Sequence, residues 1–292
     1  MKQGWIRPTI GAVVVGVVAA LSMAVPAAAT PVRNDSADKP VLFIHGFDGE
    51  HVDPGYDCNS YWGAAVSAMR GWAWTGDLVT VGYYTGDTNC SLRPSRGGRF
   101  TSILDLGKQL AETIYQRYSQ NGVAVDVIAH SMGGLIIRSA LTGVQERRDG
   151  YPPFIFVEDV VTLSTPHGTG SALATLCGAV ILVKQCVEMA SPALMLSLKD
   201  NPQGTHGTDW TVVGFEGDVI VPSRVATNMN ARHKVIYNDV PGTSHANIHQ
   251  KTTGSWTHKY SNDHGDTWTD PSGNQAAPVR VANNGCYWYF AW

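Results

Sequence analysis

Six short apolar runs, at 40–44, 78–84, 123–129, 157–163, 210–215 and 234–237, are close to continuous in Val, Ile, Leu and Phe. A strand with one face in water alternates polar and apolar residues, whereas one covered on both faces does not. Helical patterns lie between the runs. Ile103, Leu106, Leu110 and Ile114 recur every three or four residues behind Ser102, with Asp105 three residues on as a candidate capping box, and a second helix is read over 132–144. Strand and helix in alternation predict an α/β fold, a mainly parallel sheet flanked by helices. A content of 43% hydrophobic and 15% charged residues excludes a disordered chain, a coiled coil and a collagen-like repeat.

The chain begins with a segment of different character. Lys2 and Arg7 precede an apolar run at 10–25, followed by Pro26 and the triplet Ala27, Ala28 and Ala29, so residues 1–29 read as a secretory leader cut after Ala29. The apolar run falls short of the about 20 residues that span a bilayer, so no transmembrane anchor is expected after cleavage. The expected location is extracellular. Losing Lys2 and Arg7 takes the formal net charge from -3 to -5, which draws the chain to neither nucleic acid nor anionic lipid by charge. Outside the cell the cysteines are expected to pair. Pairing Cys58 with Cys90 and Cys177 with Cys186 is the simplest arrangement and leaves Cys286 over, but spacing alone does not decide connectivity.

The strongest local signal is the run Val125-Asp126-Val127-Ile128-Ala129-His130-Ser131-Met132-Gly133-Gly134, a strand entering a helix with Ser131 at the corner. Ala129 and Gly133, two before and two after, are small enough for neighbouring chain to approach a strained turn. A serine hydroxyl is a poor nucleophile and needs a base and an orienting acid. Asp218 follows the run at 210–215, and His245 lies in the loop after 234–237, both where strand ends gather ligands. Glu216 and Asp209 are rival acids, the latter at the wrong end of its strand; His249 and His233 are rival bases. His130, beside the nucleophile but pointing away from it, reads as a packing residue or as one that supports the site from outside, and His167 reads as structural. Gly46 follows the first strand and turns the chain so that the amide of Phe47, with that of Met132, faces the substrate carbonyl as an oxyanion hole.

These motifs together, Pro40-Val41-Leu42-Phe43-Ile44-His45-Gly46, Ala129-His130-Ser131-Met132-Gly133-Gly134, Asp218-Val219-Ile220-Val221 and Gly242-Thr243-Ser244-His245, resemble those of the secreted bacterial lipases and esterases of the α/β-hydrolase superfamily. The resemblance is to the small class 2 lipases with an Ala-His-Ser-Met-Gly elbow and covers residues 38–250. It implies an α/β-hydrolase fold and a carboxylic ester hydrolase acting on lipid esters, working without cofactor or metal as a monomer. In this reading Ser131 is the nucleophile, Asp218 the acid, His245 the base, and Phe47 and Met132 the oxyanion donors. The alternatives on this fold are a polysaccharide-associated or polyester esterase and an acyltransferase; outside catalysis, the alternative is a binding protein whose tail does the work.

Two segments depart from that pattern. Residues 171–198, within a catalytic domain at 30–250, form an apolar insertion read as a lid, with Leu176 and Ile181 lining an acyl pocket and facing a lipid interface; the other reading is helix packed into the core. Residues 251–292 are an aromatic extension in which 261–268 resemble an Asp box, a hairpin turn whose Asp263 binds backbone amides with Trp268 beneath, and sugar or calcium binding is the minor alternative.

Overall fold

The structure is a computed structural model that describes residues 1, 4, 31–49, 54–170, 172 and 183–287. The leader expected at 1–29, Cys177 and the two lid residues Leu176 and Ile181 fall outside the described residues, apart from Met1 and Gly4.

Among the described residues seven strands make one sheet: β1 (Val41–Ile44), β2 (Leu78–Val81), β3 (Val125–His130), β4 (Val157–Leu163), β5 (Asp209–Phe215), β6 (His233–Tyr237) and β7 (His258–Ser261). Their order is β2-β1-β3-β4-β5-β6-β7, all neighbours parallel except β7, which runs antiparallel to β6. Helices cover both faces: α1 (Cys58–Gly71), α2 (Ile103–Arg117), α3 (Met132–Gln145), α4 (Lys184–Ala190), α5 (Pro192–Ser197), α6 (Ser223–Ala226) and α7 (Pro278–Tyr287). The unbroken apolar runs are explained by this layering. In β1, Leu42 and Ile44 enter the core shared with α2 and α3, while Val41 and Phe43 enter the opposite core with Trp62 of α1 and Val281 of α7.

Helix α2 starts at Ser102, whose hydroxyl accepts the Leu104 N–H at 3.2 Å. The second half of the cap is not Asp105. Glu188 of α4 accepts the Ile103 N–H at 2.7 Å and the Ser102 hydroxyl at 2.7 Å, so a carboxylate from a distant helix satisfies the orphan donor. The described part of the insertion packs inward: Met189, Leu194 and Leu198 join the core of α2 and α3. For these residues the core reading replaces the lid.

The boundary at 250 does not divide the molecule. Strand β7 extends the sheet and α7 packs against β4, because Val279, Val281, Ala282 and Cys286 present one apolar face to it. Asp263 caps the turn after β7, accepting the Thr267 N–H at 2.9 Å and the Ser261 hydroxyl at 2.7 Å. Trp268 lies against the turn through its Nε1–H, which donates to Gly265 O at 3.1 Å; it is 39% exposed, with the Lys259 ammonium over its ring.

At the N-terminal ends of the strands, buried Lys39 sits 3.2 Å from Asp126, 3.3 Å from Glu158 and 3.3 Å from Asp159, and Arg33 bridges Asp159 and Asp209. These cations make it tolerable to bury carboxylates inside the sheet edge and fasten residues 31–39 beneath it. Burial nevertheless lifts the Asp159 carboxyl to about 7, against the pull of Lys39 and Arg33.

Cys58 and Cys90 form a disulfide that ties the start of α1 to the loop after β2. Cys186 is also disulfide-bonded, and Cys286 is a buried free thiol. Replacing Cys58 and Cys90 together by Ala should cost about 3 to 4 kcal/mol by loop-closure entropy, measured by urea unfolding. A second expectation concerns His249, buried against Tyr61 and Trp62 and held down to about 3 by desolvation and by the neighbouring His245. Below about pH 6.5 the unfolded chain protonates this imidazole and the folded chain does not, so the unfolded state holds more protons and stability falls as pH falls. Between pH 6 and 4, His249→Phe should therefore lose stability less steeply than wild type, by about 1.4 kcal/mol per pH unit. Parallel slopes in denaturant titrations at several pH values would show that His249 is not the group.

Candidate active site

Strand β3 ends at His130 and α3 begins at Met132, so Ser131 alone turns the chain, with φ 51° and ψ −128°. Such a backbone costs about 1–3 kcal/mol in a non-glycine residue and persists only when its surroundings impose it. Here the Ser131 N–H donates to Leu163 O of β4 at 2.9 Å, and its carbonyl accepts the Thr165 hydroxyl at 2.8 Å. Gly133 is required by crowding, since a Cβ there would lie 2.5 Å from the carbonyl oxygens of both Ile44 and His45. The Ser131 side chain makes no capping bond to α3, which leaves the hydroxyl for other work.

That hydroxyl lies 2.9 Å from Nε2 of His245, in the loop after β6. Nδ1 of His245 lies 2.9 Å from Oδ2 of Asp218, in the loop after β5. The other carboxylate oxygen of Asp218 accepts the N–H groups of Ile220 at 2.9 Å and Val221 at 2.8 Å, so the acid is oriented by its own turn. A carboxylate only accepts, hence Nδ1 carries the ring proton and Nε2 presents its lone pair to Ser131. The three residues come from the C-terminal ends of β3, β5 and β6, gathered there because parallel strands place those ends on one edge of the sheet.

The rivals make other contacts. Asp209 opens β5 and pairs with Arg33, Glu216 accepts the Ser223 hydroxyl at 3.2 Å, and His233 opens β6 with Nδ1 2.8 Å from Asn262 Oδ1. His249 stacks on Tyr61 with centroids 4.1 Å apart. His167 is buried with Nε2 2.9 Å from the Thr162 hydroxyl, and desolvation keeps its pKa well below the usual range.

The sequence leaves His130 open as a packing or a supporting residue and gives no sign of Tyr61. The Tyr61 hydroxyl accepts the Gly46 N–H at 3.0 Å and lies 2.5 Å from Nδ1 of His130, whose Nε2 is 2.8 Å from the His245 carbonyl. A carbonyl accepts, so Nε2–H donates and Nδ1 takes the Tyr61 proton, one self-consistent tautomer. Desolvation, then His249 and His245, hold the His130 pKa well below its ordinary value, which keeps this bridge neutral. His130 therefore links the loop of His245 to the loop after β1.

That loop holds Gly46 against the nucleophile, since a Cβ on Gly46 would lie 2.9 Å from Ser131 Cβ. Phe47 follows, its half-buried ring against Val183 and Cys186, and Met132 is the first residue of α3. His45, Tyr83 and Asp87 surround Gly46 from behind, all buried. Among the described residues no group of three or more His, Cys, Asp or Glu is arranged to hold a metal ion, and no helix is long and apolar enough to cross a membrane.

Residues 35–176 match the family model of the PGAP1-like alpha/beta domain. Solved structures similar to the chain include the mature lipase BlEst2 of Bacillus licheniformis, at 23% identity and a TM-score of 0.40, over 63% of this chain and 68% of that one. The product of gene lin2722 from Listeria innocua is 17% identical with a TM-score of 0.45, over 73% of this chain and 89% of that one. A putative thioesterase from Silicibacter sp. is 16% identical with a TM-score of 0.44, over 76% and 71%. These likenesses are too distant to carry chemistry across, and no curated protein matches the chain. The strand order, the serine elbow between β3 and α3 and the match at 35–176 together make this an α/β-hydrolase fold whose first half is similar to the PGAP1-like alpha/beta domain.

Proposed function

We propose that the chain is an exported serine hydrolase that cleaves carboxylic esters, lipid esters first among them. The reading is carried by one observation, the continuous relay from Asp218 Oδ2 through His245 to Ser131 Oγ with both links at 2.9 Å. Ser131 Oγ attacks the ester carbonyl carbon while its proton passes to Nε2 of His245. The resulting oxyanion lies against the amides of Phe47 and Met132. Collapse of the tetrahedral intermediate expels the alcohol, which takes the proton from His245, and leaves an acyl group on Ser131. Water then gives its proton to His245 and attacks the acyl carbon, and a second collapse returns the proton to Ser131 and releases the acid. Asp218 holds the ring in the right tautomer throughout and stabilises the transient imidazolium.

The preference for lipid esters is supported by the apolar side chains of Phe47 and Val183 beside the oxyanion loop. Export is supported by the disulfide Cys58–Cys90, since such bonds persist in oxidising compartments.

A chain-length series of p-nitrophenyl and emulsified glyceryl esters tests the reading. Ser131→Ala and His245→Ala should each lower kcat by at least about 10³-fold, with Asp218→Ala somewhat less severe, because the three act as a unit. Circular dichroism should stay as in wild type. A Ser131→Ala protein keeping more than about a tenth of the rate would rule out this nucleophile.

A further inference from the structure

We propose that Tyr83 and His45 are positioning residues for the oxyanion hole, which aim the Phe47 N–H by gripping the carbonyl at the other end of its peptide unit. The inference rests on the reading of Ser131 as an acyl-transfer nucleophile.

The Gly46 carbonyl and the Phe47 N–H belong to the same peptide plane, and no described peptide bond is cis. In a trans peptide these two groups point in opposite directions, so whatever fixes one fixes the other. Gly46 O accepts the Tyr83 hydroxyl at 2.5 Å and Nδ1–H of His45 at 2.9 Å. The same Tyr83 hydroxyl is 3.0 Å from the His45 carbonyl, and the two rings stack at 4.1 Å with 21° between their planes. His45 Nε2 meets Asp87 Oδ2 at 3.0 Å, and because oxygens that only accept face both ring nitrogens, His45 grips Gly46 O as an imidazolium paired with Asp87, whose carboxylate also accepts the backbone N–H groups of Tyr56 at 2.8 Å and Tyr84 at 2.7 Å. Tyr61 holds the preceding peptide through the Gly46 N–H. Both peptide planes that meet at the Gly46 Cα are thereby pinned.

A conflict of requirements at position 46 explains why such a grip is needed. Contact with Ser131 admits only glycine there, yet glycine is the residue with most backbone freedom. An oxyanion donor works by being oriented before charge develops, and a loosely held amide must be ordered in each turnover. The buried rings supply from outside the rigidity that residue 46 cannot supply itself. A merely structural role for Tyr83 and His45 would lower stability and leave the balance between kcat and KM unchanged.

The test uses Tyr83→Phe, which removes one oxygen, and the pair His45→Asn and His45→Leu. Asn can place its amide nitrogen where Nδ1 stands, whereas Leu cannot. For a soluble short-chain ester, Tyr83→Phe should lower kcat about 10- to 100-fold with KM within about threefold. Its affinity for a trifluoromethyl ketone, which forms a tetrahedral oxyanion adduct on serine, should fall by a similar factor. His45→Asn should keep about tenfold more kcat than His45→Leu. Wild-type kcat and ketone affinity in Tyr83→Phe, or equal losses in the two His45 variants, would overturn the proposal; should Tyr83→Phe fail to fold, the His45 pair decides. End-point labelling of the wild type by a fluorophosphonate, located by mass spectrometry, separates the two levels. No label on Ser131 overturns the acyl-transfer reading and this inference with it, while a labelled Ser131 with unaffected Tyr83→Phe overturns this inference alone.

Discussion

The backbone of Ser131 is the constraint on which the rest of the site depends. A φ of 51° between a strand and a helix is unfavourable for serine, and it is held by β4 on one side and by the loop after β1 on the other. Those contacts need parallel neighbours: Leu163 can receive the Ser131 N–H because β4 runs alongside β3 in the same direction and ends at the same level. The helix that follows starts at Met132, the residue directly after the one that carries the hydroxyl. The cost of the turn is offset by the buried cores on both faces of the sheet, which leave the elbow no other way to connect β3 with α3.

Around the elbow, polar groups are organised as a set of rings rather than as isolated pairs. Tyr61, His130 and His249 pack ring on ring near Gly46, as do Tyr83 and His45. Their hydrogen bonds lead to main-chain atoms of the Gly46 and His245 loops, so side chains that do not touch Ser131 determine where its partners stand. The disulfide joins this arrangement at a useful place. Cys58 is the first residue of α1, three before Tyr61, and Cys90 is three after Asp87, so the bond fastens the two supports of the loop to each other.

The opposite edge of the sheet does a different task. Lys39, Arg33 and the carboxylates of Asp126, Glu158, Asp159 and Asp209 hold residues 31–39 under the strands, far in sequence from the elements they fasten. A parallel sheet thus separates its work by strand polarity, anchoring at the N-terminal ends and presenting reactive side chains at the C-terminal ends.

The amino-acid sequence by itself determined what depends on neighbours along the chain. The unbroken apolar runs required strands covered on both faces, the small residues around Ser131 required a sharp turn, and strand ends located Asp218 and His245 on the edge that carries Ser131. Tertiary structure decided whatever depends on residues far apart in the chain. Glu188 rather than Asp105 completes the cap of α2, because a helix 83 residues beyond Asp105 happens to end its side chain there. His45 meets Asp87 across 42 residues, and His130 meets the His245 carbonyl across 115. Nothing in local spacing encodes such meetings. The aromatic C-terminal region read as an appendage for the same reason: its strand pairs antiparallel to β6 and its helix closes the second core, and both are defined only by the sheet already in place. Periodicity records which residues avoid water, whereas the partner each polar group finds is settled when distant elements pack and bring buried donors to acceptors.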